Sequence, residues 1–310
     1  MMDAVPKSKS RIILEQLFLI AVLVVIFYLI FRRVKIHDVL LALRTVEPVS
    51  FFILSLLFVA TTLLIDAFTH FLLFKRFDFN FSFAEMLQLR LANLLFASLG
   101  FIYGQGGMVW MASRDSKKPA AQVVGLLAFL FFNTFHAALF WITLGLVFFL
   151  PKLNAAETFS WLWIWVLIDW PLFIAWVWFW QSRFKNLVPA RLRESLLYGF
   201  DRARSARYLE MIALRALQFL VIAIFIWLAL PAMRIDIPFR AVVSILPIQG
   251  ILIAIPTPGR YGVNEGAFLL LFRNWAEESR LVAFGLLWGT SSNVLRSLAS
   301  LLALRKLKGK

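Results

Sequence analysis

The run VSFFILSLLFVATTLLIDAFTHFLLF, Val49–Phe74, decides the class of fold. It holds one acid, Asp66, one histidine, His70, and no lysine or arginine. A hydrocarbon core of about 30 Å is crossed by about 20 apolar residues in a helix, so the run is long enough to span a bilayer. Runs of the same kind occupy Ile12–Phe31, Ala120–Leu150, Phe159–Trp180, Met211–Pro231 and Leu281–Leu304. Together they predict an all-α integral membrane protein with six spanning helices. The first run ends in Tyr28-Leu29-Ile30-Phe31 and then arginines, so it reads as an anchor rather than a cleaved signal.

Composition agrees. Hydrophobic residues make up 62% of the 310, and mean hydropathy is +0.83. The 33 Phe and 12 Trp suit lipid contact and interfacial belts. A net charge of +15 invites a nucleic-acid reading, but the basic residues cluster beside apolar runs. That placement points to anionic membrane lipids as partners and away from nucleic acid. With no cysteine, disulfides, thiolate metal sites and cysteine nucleophiles are excluded.

Two further stretches are apolar yet broken. Phe83–Met111 contains Gly100, Gly104, Gly106 and Gly107; Ala241–Phe272 contains Pro247, Gly250, Pro256, Pro258, Gly259, Gly262 and Gly266. Glycine and proline at this density do not fit one regular helix. Irregular backbone at membrane depth is tolerated only where protein or a wet cavity surrounds it, so each stretch is expected to form a re-entrant helical hairpin. With both termini cytoplasmic, inner segments carry roughly twice the Lys and Arg of outer ones, the bias of a plasma-membrane protein.

The order span, span, broken hairpin, span then occurs twice. It divides a single transmembrane domain, 1–310, into candidate inverted repeats at 1–150 and 159–304. A basic cytoplasmic loop, 181–208, separates the spans of the second half. There the spacing of Arg191, Glu194, Tyr198, Asp201 and Arg204 permits an amphipathic surface helix.

The densest chemistry lies at Ile255–Phe268. Arg260 and Glu265 are charges inside an apolar run, which is costly unless they are paired or hydrated. The N–H groups of a helix starting after the break attract anions, so Arg260 with them makes a candidate headgroup cradle. Alternatively, Glu265 pairs with Arg260 or Arg296 and merely holds the hairpin. Asp66 and His70, four apart, form either a proton relay or a satisfied interior pair. Asn133 and His136 pose the same choice, and Asp169, before Trp170-Pro171, is expected to steady a kink. Gly285 and Gly289 offer a close-packing face. No metal cluster, cofactor motif, nucleotide-binding loop or catalytic set is recognisable.

Pro256-Thr257-Pro258-Gly259 followed by Gly262-Val263-Asn264-Glu265-Gly266 resembles the late signature of the lysylphosphatidylglycerol synthase transmembrane region. That flippase-like domain usually shows Pro-x-Pro-Gly-Gly-x-Gly-x-x-Glu. Asn93 with Gly106-Gly107 is similar to the family's earlier motif. Arg260 replaces the second glycine, and the arginine often found soon after the early Gly-Gly has no equivalent, Met111 and Arg114 lying nearby. Nothing in these residues corresponds to the aminoacyl-transferase domain that some members carry.

The resemblance implies lipid translocation across the cytoplasmic membrane, of an anionic phospholipid or a lipid-linked phosphate. Its headgroup residues would be Pro256, Pro258, Gly259, Arg260, Gly262, Asn264, Glu265, Arg296, Asn93, Gly106 and Gly107. A membrane-embedded lipid-modifying enzyme, a channel and a non-transporting assembly factor are the alternatives.

Overall fold

The computed structural model describes residues 9–99, 101–153, 157–252, 257 and 261–308. Thirteen α-helices and no strand occur among them. In chain order these are α1 (Lys9–Phe31), α2 (Ile36–Arg44), α3 (Pro48–Arg76), α4 (Phe83–Leu99) and α5 (Phe101–Ser116). There follow α6 (Ala120–Leu144), α7 (Leu162–Gln181), α8 (Ala190–Arg193) and α9 (Tyr198–Arg202). The chain finishes with α10 (Ser205–Ala229), α11 (Phe239–Leu252), α12 (Val263–Phe272) and α13 (Glu278–Lys308).

Six of these helices have 20 or more residues, and they lie where spans are expected. Four are long and apolar enough to cross a membrane: α3, α6 with its π-helical continuation to Phe149, α7, and α10 with its 3-10 continuation to Met233. Two expected spans fall outside that set. In α1, the apolar helix with described side chains covers only Ile20–Phe31. In α13, Ser291, Ser292, Asn293, Arg296 and Ser300 dilute an otherwise apolar face. Helix α7 exposes Ile164, Leu167, Ile168, Leu172 and Ile174, a surface suited to hydrocarbon rather than water.

The first broken stretch is two helices folded on each other. A Cβ at Gly104 would lie 3.0 Å from the Ala97 backbone, and one at Gly107 would lie 2.8 Å from Asn93 Oδ1. These paired positions run in opposite directions along the chain, so α4 and α5 are antiparallel and in backbone contact. Gly106 meets nothing within 4 Å, so packing requires only the second glycine of that pair.

The basic loop differs from a single amphipathic helix. It forms a 3-10 turn at Arg183–Leu187 and the two short helices α8 and α9. The reason is α9, whose Tyr198, Gly199 and Phe200 are buried against α6. A Cβ at Gly199 would sit 2.6 Å from Phe129 Cβ. The charged side chains stay at the rim, where Lys185 and Arg193 both reach Asp201, at 3.3 and 3.5 Å.

Helix packing repeats itself. Helix α3 packs on α10 at the centre, α3 on α4 as α10 on α11, and α5 on α6 as α12 on α13. Likewise α4 packs on α13 as α11 on α6, α6 on α10 as α13 on α3, and even α2 on α13 as α9 on α6. Exchanging α2–α6 with α9–α13 therefore reproduces each of these neighbour pairs.

The buried apolar residues form two clusters. Along α3, Phe51, Phe58 and Val59 belong to one, and Leu73 and Phe74 to the other. Along α6 the two are marked by Leu139 and Ile142 and by Val123 to Leu130; along α10, by Ala223 and Ile226 and by Tyr208 and Met211. Between the clusters, at the middle of each helix, lie Asp66 and His70, Asn133 and His136, and Arg215 and Gln218. A polar layer thus divides the apolar core.

Candidate functional site

Asp66 is the hub of the polar layer. His70, one turn on, donates through Nδ1–H to the Asp66 carbonyl at 2.8 Å, and the same nitrogen lies 3.5 Å from Asp66 Oδ1. Arg215 of α10 donates to Asp66 Oδ1 at 2.8 Å. Arg90 of α4 pairs with the other oxygen, Oδ2, through Nη2. Three helices are therefore joined through one carboxylate. Arg215 also donates to Gln218 one turn along its helix.

This cluster lines a cavity of about 300 Å³. Asn93, Gln105, Gln218, Asn293 and Arg296 add polar groups to its wall, with Phe58, Leu127 and Phe219 among its apolar lining. The Arg296 guanidinium stands 5.9 Å from the centre of the Phe58 ring. Asn93 is 2% exposed, with its Oδ1 unbonded. The Nε–H groups of Arg90 and Arg215 are also buried without an acceptor. Arg90, Arg215 and Asp66 thus share one recess in the polar layer. Guanidinium donors without acceptors are costly in such a place, and an oxyanion would satisfy them.

The second broken stretch forms a separate centre. Gly262 begins α12 with φ +81°, a conformation that side chains disfavour. Its N–H donates to Glu265 Oε2 at 2.6 Å, so the carboxylate closes the first turn of α12. Glu265 is 0% exposed, and its Oε1 has no hydrogen-bond partner. Gln249 of α11 donates to Asn264 Oδ1 at 3.2 Å. Against this turn Gly285 of α13 approaches so closely that its Cβ would lie 2.9 Å from Glu265 Cα. Gly285 and Gly289 thus seat α13 against α12.

Pro256, Pro258, Gly259 and Arg260 lie outside the described residues, while Thr257 is buried with its hydroxyl unbonded. Of the expected site residues, Asp66, His70, Asn93 and Arg296 meet at the cavity. Gly262, Asn264 and Glu265 meet at the turn.

His136 and Asp169, expected on separate spans, come together: His136 Nε2 stands 3.0 Å from Asp169 Oδ2, and Nδ1–H donates to the Phe132 carbonyl at 2.7 Å. Asp169 faces α6, and with Trp170 Nε1–H donating to Thr143 Oγ1 at 3.0 Å it fastens α7 to the bundle. Asn133, by contrast, donates to its own helix at the Phe129 carbonyl, at 2.7 Å.

Arg90 and Arg215 are functional candidates that sequence reasoning passed over. Arg90 counts as one more inner basic residue when charges are tallied by loop. Arg215 sits inside an apolar run just as Arg296 does, and that intramembrane cost was the signal available. No protein-family model matches the chain, and no curated protein matches it significantly.

Proposed function

We propose that the chain moves an anionic lipid, a phospholipid or a lipid-linked phosphate, across the cytoplasmic membrane. The observation that carries this reading is the cavity in the polar layer, where Arg90 and Arg215 both bind Asp66 and Arg296 is part of the same wall. Buried ion pairs are poor sources of stability, and ionisable groups at membrane depth mark transport paths and binding sites.

On this reading α1 and α13 complete six spans, and the hairpins α4–α5 and α11–α12 each enter and leave on one side. Both termini are cytoplasmic. The repeated helix packing supports a duplicated unit, which transporters use in inverted pairs with the site between the halves. Asp66 and Arg90 come from the first half, and Arg215 and Arg296 from the second. The late Pro-x-Pro-Gly motif, similar to that of the flippase-like region, points the same way. The protein acts as a translocator without a cofactor rather than as an enzyme.

The test is lipid scrambling by purified protein in proteoliposomes, with wild type compared to Arg215→Gln and Glu265→Ala. Labelled phosphatidylglycerol, phosphatidic acid, phosphatidylcholine and an isoprenoid phosphate are assayed separately. Faster movement of the anionic lipids, reduced at least about tenfold by Arg215→Gln, is expected if a guanidinium contact is lost in transit. No movement of any lipid by well-incorporated wild type overturns the reading.

A further inference from the structure

We propose that the Asp66 carboxylate is a built-in stand-in for the ligand's phosphate, and that the ligand binds by taking its place on Arg90 and Arg215. The ligand class is a lipid with a terminal phosphate or pyrophosphate. The identity of that ligand rests on the translocation reading; the exchange itself rests on the geometry alone.

Four observations carry it. Two guanidiniums share one carboxylate, each bound to a different oxygen, so positive charge exceeds negative in this cluster. Each arginine retains a buried Nε–H with no acceptor, and Arg215 is only 7% exposed. The arrangement stands open to a cavity of about 300 Å³, large enough for a phosphate group. Finally, the three partners come from α3, α4 and α10, so at the polar layer these helices are joined through the Asp66 carboxylate.

A phosphate offers more oxygens than a carboxylate and carries up to two charges. It satisfies the Nε–H groups that Asp66 leaves unmet, and guanidinium binds it in the same forked geometry. Once it is seated, Asp66 loses its bonds to α4 and α10. The acid then repels the bound anion at short range, which favours release. Asp66 therefore sets both the closure of the empty site and the lifetime of the filled one. Neutralising it makes binding tighter and turnover slower.

The experiment measures binding to the full chain in detergent, by thermal shift and titration. The probes are short-chain phosphatidic acid, inorganic pyrophosphate, inorganic phosphate and short-chain phosphatidylcholine. For Asp66→Asn, phosphatidic acid is expected to bind about tenfold tighter than to wild type, and to raise the melting temperature more. For Arg215→Gln, that binding is expected to disappear while the fold persists.

Equal or weaker binding by Asp66→Asn overturns the exchange, as does retained binding by Arg215→Gln. If Asp66→Asn is unstable when purified alone, rescue by phosphatidic acid supports the proposal and failure of rescue sinks it. If pyrophosphate or phosphate binds as tightly as phosphatidic acid, the ligand is a free anion and the lipid assignment falls. Scrambling activity without tighter binding by Asp66→Asn would remove the exchange and leave translocation standing. The reverse pattern would do the opposite.

Discussion

Gly106 and Gly107 are neighbours with unlike duties. A methyl group at Gly107 would meet Asn93 Oδ1 at 2.8 Å and the Phe96 ring at 2.9 Å, whereas one at Gly106 meets nothing within 4 Å. Gly107→Ala must push α5 from α4 or turn Asn93 away, at a cost of about 1–3 kcal/mol for overpacking. Gly106→Ala, in open space within α5, should not destabilise and should gain up to about 1 kcal/mol of helix propensity. Thermal unfolding of the two variants in one detergent decides this, and equal losses would mean that the hairpin is not packed as described. The same residues show why a motif is only partly readable. Two adjacent glycines look equivalent in a sequence, and only the facing helix distinguishes them.

At the scale of an element, α4 starts with a reciprocal cap. The Ser82 N–H and hydroxyl both donate to Glu85 Oε2 at 2.8 Å, and Glu85 N–H donates to Ser82 Oγ at 3.2 Å. The Ser82 backbone N–H, followed by its hydroxyl, holds the exposed Glu85 carboxyl below its ordinary range. A carboxyl depressed in the folded state contributes stability above its unfolded pKa and loses it as pH falls through the folded one. Hydrogen exchange, corrected for intrinsic rate, should therefore speed up in the first turn of α4 as pH drops below about 4. In Glu85→Gln that step should vanish; if it persists, the cap is not its cause.

The long helices were largely legible. Spans show in a sequence because bilayer thickness imposes a minimum apolar length. The ion-paired hub was not, since Asp66 and Arg215 lie 149 residues apart and only packing brings them together. Arg90 was hidden differently: its charge fits an inner loop as readily as a buried pair. The polar cluster at the middle of α3, α4 and α10 therefore stands beside the second hairpin as a candidate site.

At the scale of the whole molecule, the disposition of α1 and α13 decides between four crossings and six. The absence of native cysteine makes this simple to measure. Single cysteines at Ser10, Arg33, Glu277 and Lys306 are labelled with a membrane-impermeant maleimide in right-side-out and inverted vesicles. Six crossings require Ser10 and Lys306 to react from the cytoplasmic side, and Arg33 and Glu277 from the opposite side. Should Ser10 and Arg33 share a side, α1 does not cross; should Glu277 and Lys306 share one, α13 does not.

The polar layer between the two apolar clusters has an electrical consequence. A bare hydrocarbon slab is a barrier to ions of either sign, because each must surrender its hydration. With more guanidinium than carboxylate fixed at its middle, this interior becomes a well for anions and a higher wall for cations. The interior therefore discriminates first by sign and only then by shape, holding an anion where a cation of the same size is repelled.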